Sequence, residues 1–207
     1  IVWIGTYKNG ICYYHQNIHK FPHYRHLPSE ENSLPYNDVN CFVEDSAGNL
    51  WIGTNGGGLF YFDRTTGKYT TYKNDPEDKN SLSNNVVVNL FIDDEGLLWI
   101  GTFTGGVNVY DGKKFTRFIT TKNNYSGLPN NNIWSINQDN DKMIWIGTLG
   151  SGIVLYDKEK GSFLPIPNLG RTPPPSEFIT NIHKMRNGNM FIATAMGVVF
   201  YNTEKRR

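Results

Sequence analysis

Four histidines, His15, His19, His23 and His26, follow one another at spacings of 4, 4 and 3 residues, which on one helix face would stack imidazoles for a transition metal. Asp93-Asp94-Glu95 and Asp139-Asn140-Asp141 gather oxygen ligands of the kind calcium takes, but neither continues into a calcium loop closed by a glutamate. The glycines of "GTNGGG" (Gly53–Gly58) invite a phosphate cradle. That cradle needs a helix N-terminus behind it, and here a strand-like run follows. Cys12 and Cys41 are the only cysteines, too few for a disulfide framework or a four-cysteine zinc site. Both lie in strand-like apolar runs and read as small core residues, with a single bridge between them left open. No Ser/His/Asp nucleophile set and no paired carboxylates stand out, so an enzyme finds no support in the residues.

Aromatic and amide side chains are a better lead. Tyr7, Asn55, Phe103, Leu149 and Ala195 each directly follow a recurring threonine, and Lys8 and Thr104 come next to them. A second group, Tyr36, Asp38, Asn84, Asn130 and Asn132, clusters in recurring linkers, and Trp134 departs from Asn40, Val88 and Thr180 at an otherwise equivalent position. Apolar sugar faces stack on aromatics while sugar hydroxyls need oriented amides, so this mixture points to a carbohydrate site. The positions chosen for it are Tyr7, Lys8, Asn55, Phe103, Thr104, Trp134, Tyr36, Asn84 and Asn132, with no catalytic residue, no metal ligand and no cofactor.

The gross properties agree. Over 207 residues the formal net charge is +1, so no strong field favours nucleic acid or an anionic membrane. Apolar runs are broken by Gly, Asn or Asp well before the roughly 20 residues a membrane helix requires. The chain opens in mid-pattern at Ile1-Val2-Trp3 without an initiator Met, which leads us to expect a piece of a longer protein.

What must position these side chains is a repeat. "LWIGTNGGGLFYFD" from Leu50 returns as "LWIGTFTGGVNVYD" from Leu98 and "IWIGTLGSGIVLYD" from Ile144. Trp3, Trp51, Trp99, Trp145 and Phe191 occupy one frame, at offsets of 48, 48, 46 and 46. A fixed period of about 40 to 50 residues built of short alternating apolar runs specifies an all-β β-propeller of four-stranded antiparallel blades. Each unit reads as an inner strand ("VNCFVED"), a turn with Gly48, Gly96 or Gly188 (Lys142 in the fourth unit), the "WIGT" strand, a third strand ending at Asp63, Asp111 or Asp157, and a short outer strand. Between units runs a second motif, "SLPYN", "SLSNN" and "GLPNN", whose leucine should plug the gap between blades and whose Asn37, Asn85 and Asn131 should bond their own turn. The blades are expected at 1–27 (partial), 37–73, 85–120, 131–167 and 177–207 (partial). That is about 4.4 repeats, an open arc of a larger ring, with closure at five blades as the alternative.

The paired motifs "LWIGTxGGGLxxYD" and "SLxxNxV" resemble the two-component regulator propeller, and the resemblance covers essentially the whole chain. It implies that the larger ring is seven-bladed and that this is the periplasmic sensor region of a Bacteroides-type hybrid two-component histidine kinase, with kinase and DNA-binding parts outside this chain. It further implies an oligosaccharide ligand released from a polysaccharide, a homodimer in the full sensor, and no contact of this segment with nucleic acid or membrane. The last unit departs from the pattern, with "FIAT" for "WIGT" and "RTPPPSE" (Arg171–Glu177) in place of the linker. A protein-docking propeller is the competing reading. A streptogramin-type propeller lyase is a weaker one, since its catalytic His and metal find only His183 on an inner strand.

Overall fold

The computed structural model describes residues 1–6, 10–15, 23–122, 127–166 and 176–205, which contain five antiparallel sheets and no helix. The first sheet holds β1 (Val2–Thr6), β2 (Gly10–Tyr14) and β3 (His23–Tyr24). The second runs β4 (Val39–Glu44), β5 (Leu50–Thr54), β6 (Leu59–Asp63), β7 (Lys68–Tyr72), and the third β8 (Val87–Ile92), β9 (Leu98–Thr102), β10 (Val107–Tyr110), β11 (Phe115–Phe118). The fourth comprises β12 (Ile133–Gln138), β13 (Ile144–Thr148), β14 (Ile153–Asp157) and β15 (Ser162–Pro165), and the fifth β16 (Ile179–Lys184), β17 (Met190–Thr194) and β18 (Gly197–Tyr201). Strands pair in chain order within every sheet, and β4, β8, β12 and β16 lie side by side as the innermost strands. This is the β-propeller architecture that the repeat specifies.

The turns follow from local chemistry. Asp93 Oδ1 accepts the backbone N–H groups of Glu95 (2.9 Å) and Leu97 (3.0 Å), and Asp45 does the same for Ala47 and Asn49. Lys142 replaces the turn glycine yet keeps its left-handed backbone, with φ of 64° against 82° at Gly96. Asp63, Asp111 and Asp157 each accept two N–H groups from the next turn, a structural role.

Asn37, Asn85 and Asn131 act differently from the expectation that they bond their own turn. Their Oδ1 atoms accept the backbone N–H of His26, Asn74 and Thr120, each eleven residues earlier, at 2.6, 2.7 and 2.9 Å. Their backbone carbonyls accept the N–H of Gly10, Gly58 and Gly106. One asparagine thus ties the outgoing linker to the third strand of the same preceding blade. The residue before it does the local bonding: Asn84 caps Val86 and Asn130 caps Asn132, both at 2.8 Å.

Four apolar clusters hold the blades together, one at each junction. Leu34, Leu82 and Leu128 are fully buried in three of them, so the motif leucine does plug the gap between blades. In every cluster the Trp side of one blade meets the Leu or Ile side of the next: Trp99 faces Ile144 and Ile146, and Trp145 faces Met190 and Ile192. Burying such side chains is worth about 1.5–3 kcal/mol each. Among the described residues no cluster joins the first sheet to the fifth. Val2 and Ile4 of β1, equivalents of the buried Leu50 and Ile52, are exposed, as are Phe191, Val198 and Phe200 of the last sheet. The sheets therefore form an open arc.

Antiparallel pairing gives the arc two unlike ends. The loops after each "WIGT" and the "SLxxN" linkers share one end; the Asp turns share the other. Every ion pair among the described residues lies at the Asp-turn end. Lys158 is the centre of charge there, with a side chain 13% exposed and within 3.0–3.2 Å of Asp93, Asp94 and Glu95. Burial opposes its charge, but the three carboxylates outweigh that and hold the ammonium pKa above the ordinary lysine range.

Candidate functional site

A groove of about 710 Å³ runs along the innermost strands and is lined by Asn40, Cys41, Asn55, Val86, Val88, Asn89, Phe103, Trp134, Thr180 and Asn181. Its shape originates in a defect shared by four strands. The inner-strand pairing slips by one residue between Val39 and Cys41, Val87 and Asn89, Ile133 and Ser135, and Ile179 and Asn181. The extra residues are Asn40, Val88, Trp134 and Thr180, and all four line the groove. A bulge leaves one residue out of the ladder and re-aims its side chain, which is the means by which a packed blade offers side chains to a ligand.

Residues at and beside the bulges hold the inner strands in place. Asn40 Nδ2 donates to Val87 O (2.9 Å), Ile136 N–H donates to Asn89 Oδ1 (3.0 Å), and Ile182 N–H donates to Ser135 Oγ (2.8 Å). Each bond crosses from one blade to the next where no ladder exists. Asn55 and Phe103 reach the groove from the loops after "WIGT", whose amides bond Asp38 O (2.8 Å) and Val86 O (3.0 Å) beside the start of each inner strand. Phe103 is 43% exposed and Trp134 is half-buried, so both keep an open ring face.

Among the described residues, no lysine, arginine, histidine, aspartate or glutamate lines the groove. The one titratable group among those lining residues, the Cys41 thiol, is pushed up to about 12 by burial and stays neutral. Cys12 and Cys41 are free thiols.

Of the nine positions picked out in the sequence, the structure brings Asn55, Phe103 and Trp134 into this groove. Asn84, Thr104 and Asn132 form a chain of their own on the rim: Asn84 Nδ2 donates to Thr104 Oγ1 (3.2 Å) and Thr104 N–H donates to Asn132 Oδ1 (3.1 Å). Tyr36 lies over Gly57, where a Cβ would sit 2.6 Å from the ring. Tyr7 and Lys8 lie outside the described residues, as do His19 and most of "RTPPPSE". Asn89, Asn181 and Thr180 line the groove although the sequence reading did not select them. Their signal was present in the register of the inner strands, but a bulge has no marker in composition.

Among the described residues no group of three His, Cys, Asp or Glu side chains is placed to hold a metal ion. His183, on β16, stands opposite Phe191 and is exposed.

Comparison with known proteins places the repeat. The family described as the two component regulator propeller matches residues 33–56, 81–104 and 127–150, the three linker-plus-"WIGT" segments. No curated protein matches. The extracellular domain of the hybrid two component system BT3049 from B. thetaiotaomicron is 23% identical with a TM-score of 0.81, over 99% of this chain and 27% of that one. That of BT4673 from the same organism is 22% identical, TM-score 0.73, over 98% and 28%. A catalytically inactive virginiamycin B lyase from Staphylococcus aureus is 17% identical, TM-score 0.70, over 98% and 63%. At these identities the likeness establishes the fold. This chain spans little more than a quarter of the two sensor domains.

Proposed function

Since the chain carries two-component regulator propeller repeats, we propose that it is part of the extracytoplasmic, periplasmic sensor region of a hybrid two-component system. In this reading it binds an oligosaccharide derived from a polysaccharide and does no chemistry of its own. The observation that carries the reading is the groove, in which Trp134 and Phe103 offer ring faces beside the amides of Asn40, Asn55, Asn89 and Asn181. Apolar sugar faces and hydroxyls need that pairing of surfaces.

Signalling to a histidine kinase then requires that the ligand bind one arrangement of the sensor, here a homodimer, more tightly than another. A ligand with equal affinity for both shifts nothing. The lyase likeness is a likeness of fold, and a site does not follow from it.

The test is calorimetric titration of this chain with plant, host and microbial oligosaccharides, alongside Trp134→Ala and Phe103→Ala. Saturable binding to one glycan class, weakened in both variants, is the expected result. Binding that survives both variants would remove the groove from the reading, and silence across the panel would favour a protein-docking propeller.

A further inference from the structure

The sensor reading leaves open what kind of sugar the groove accepts and which residues choose it; resting on that reading, we propose that the groove takes an uncharged, hydroxyl-bearing oligosaccharide and that the four bulge residues Asn40, Val88, Trp134 and Thr180 select it.

Two independent features of the groove support this. The first is the separation of frame from reader along the inner strands. At the bulges the neighbouring residues carry most of the frame: Asn89 and Ser135 bridge blades through their side chains, Val39, Val87, Ile133 and Ile179 are buried in the junction clusters, and among the described bulge residues Asn40 alone adds a bridge of its own, from Nδ2 to Val87 O. The bulge residue itself is outside the ladder, so its identity can change without altering a strand pair. That freedom is used: an amide, an isopropyl, an indole and a hydroxyl occupy four geometrically equivalent positions.

The second is the balance of polar groups. Asn40 Nδ2 is bonded to Val87 O and the Thr180 hydroxyl donates to Ala193 O at 3.2 Å, so these two groove-lining residues keep acceptor capacity while their donors are engaged. Asn89 engages its Oδ1 with Ile136, leaving its Nδ2 uncommitted, and the Asn181 amide makes no hydrogen bond among the described residues. Sugar hydroxyls, which donate and accept, match such a mixed set. A carboxylate or sulfate only accepts, would leave those acceptor oxygens unpaired, and would find no cation among the described residues that line the groove. Moving an unpaired charge into such a site is costly, and this selects against acidic glycans. Val88, apolar between Asn40 and Trp134, extends the surface on which a ring can stack.

The experiment is titration of this chain, by calorimetry and by Trp fluorescence, with neutral oligosaccharides and with uronate counterparts matched in length and linkage. The neutral member of the bound pair is expected to bind at least about tenfold more tightly, the discrimination an unpaired charge imposes. Val88→Lys, a change outside the ladder whose folding circular dichroism checks, should narrow that gap by admitting the uronate. Trp134→Ala should weaken the neutral ligand. Equal or tighter binding of the uronate by the unaltered chain, with neutral binding intact, overturns the charge selection and leaves the sensor reading standing. A Val88→Lys variant with unchanged discrimination overturns the role of the bulge residues. Failure of both members of every pair would overturn the sensor reading itself, and this proposal with it.

Discussion

Trp99 Nε1 donates to the Asp93 carboxylate at 2.9 Å, and Trp145 repeats that bond to Asp139 at 2.7 Å, each tryptophan lying six residues after its aspartate. Asp93 also receives Lys158 at 3.0 Å and two turn amides, so one carboxylate joins an indole, a cation and a hairpin. Trp3, at the same place in the first blade, has a buried Nε1 with no partner among the described residues and Arg64 over its ring at 5.3 Å. Trp99→Phe is therefore expected to cost at least about 2 kcal/mol, a charge-assisted bond and the acceptor it leaves, and Trp3→Phe under about 1 kcal/mol. Urea denaturation of the two variants compares them directly; equal losses would contradict the assignment.

The glycine of "WIGT" is held by its neighbour in the next blade. A Cβ on Gly147 would sit 2.5 Å from Ile179 Cγ2, and one on Gly53 would sit 2.5 Å from Val87 Cγ1 and 2.6 Å from Cys41 Sγ. Gly147→Ala should cost roughly 1–3 kcal/mol by overpacking. The last unit has Ala193 in this position, and Ala193→Gly should cost no more than about 1 kcal/mol, the backbone entropy alone. Thermal unfolding of both variants separates the two effects.

The turn aspartates set the acid limit of the fold. Backbone N–H bonds, from Thr66 to Asp63 and from Lys114 to Asp111, hold those carboxyls below the ordinary range, and the Lys160 ammonium does so first for Asp157. A carboxyl with a lowered folded pKa contributes stability that is full above its unfolded value, about 3.9, and is lost as pH falls through the folded value. Asp139 has the opposite sign, because burial raises its pKa and protonation relieves it. Replacing Asp63, Asp111 and Asp157 together by Asn should lower stability at pH 7 and flatten its decline below about pH 4. Asp139→Asn should not flatten it. Denaturant titrations at a series of pH values read both.

The Cys41 thiol, raised to about 12 by burial, is almost entirely protonated near neutrality. Iodoacetamide at pH 8 should leave Cys41 unmodified in the folded chain and alkylate it in denaturant, as peptide mass spectrometry would show. Ready labelling of the folded protein would mean that the thiol faces solvent and that the groove is wider than described.

The sequence displayed the fold well because a propeller repeats its scaffold: "WIGT", the turn aspartates and the linker leucine each have one job performed several times. Those jobs are visible as spacing. The site was less visible because what defines it is a departure from spacing. Trp134 stood out as the odd residue at a repeated position, yet nothing in the letters shows that position to be a bulge aimed into a groove. Asn84, Thr104 and Asn132 had the right chemistry for a ligand and use part of it on one another. Asn89 and Asn181 immediately follow bulge residues, and only the shifted register brings them to the same surface as Asn40.

The exposed Val2 and Ile4 at one end of the arc, and Phe191, Val198 and Phe200 at the other, are not equivalent patches. They are the two unlike halves of the contact that recurs at all four junctions, so the arc has a head and a tail. Such a heterologous contact has no twofold partner on its own surface, and addition through it ends only when the rotation per blade closes a circle. Blade number is then a stopping rule set by angle, and a rotation that missed closure would turn the same apolar faces into the growing tips of a fibre.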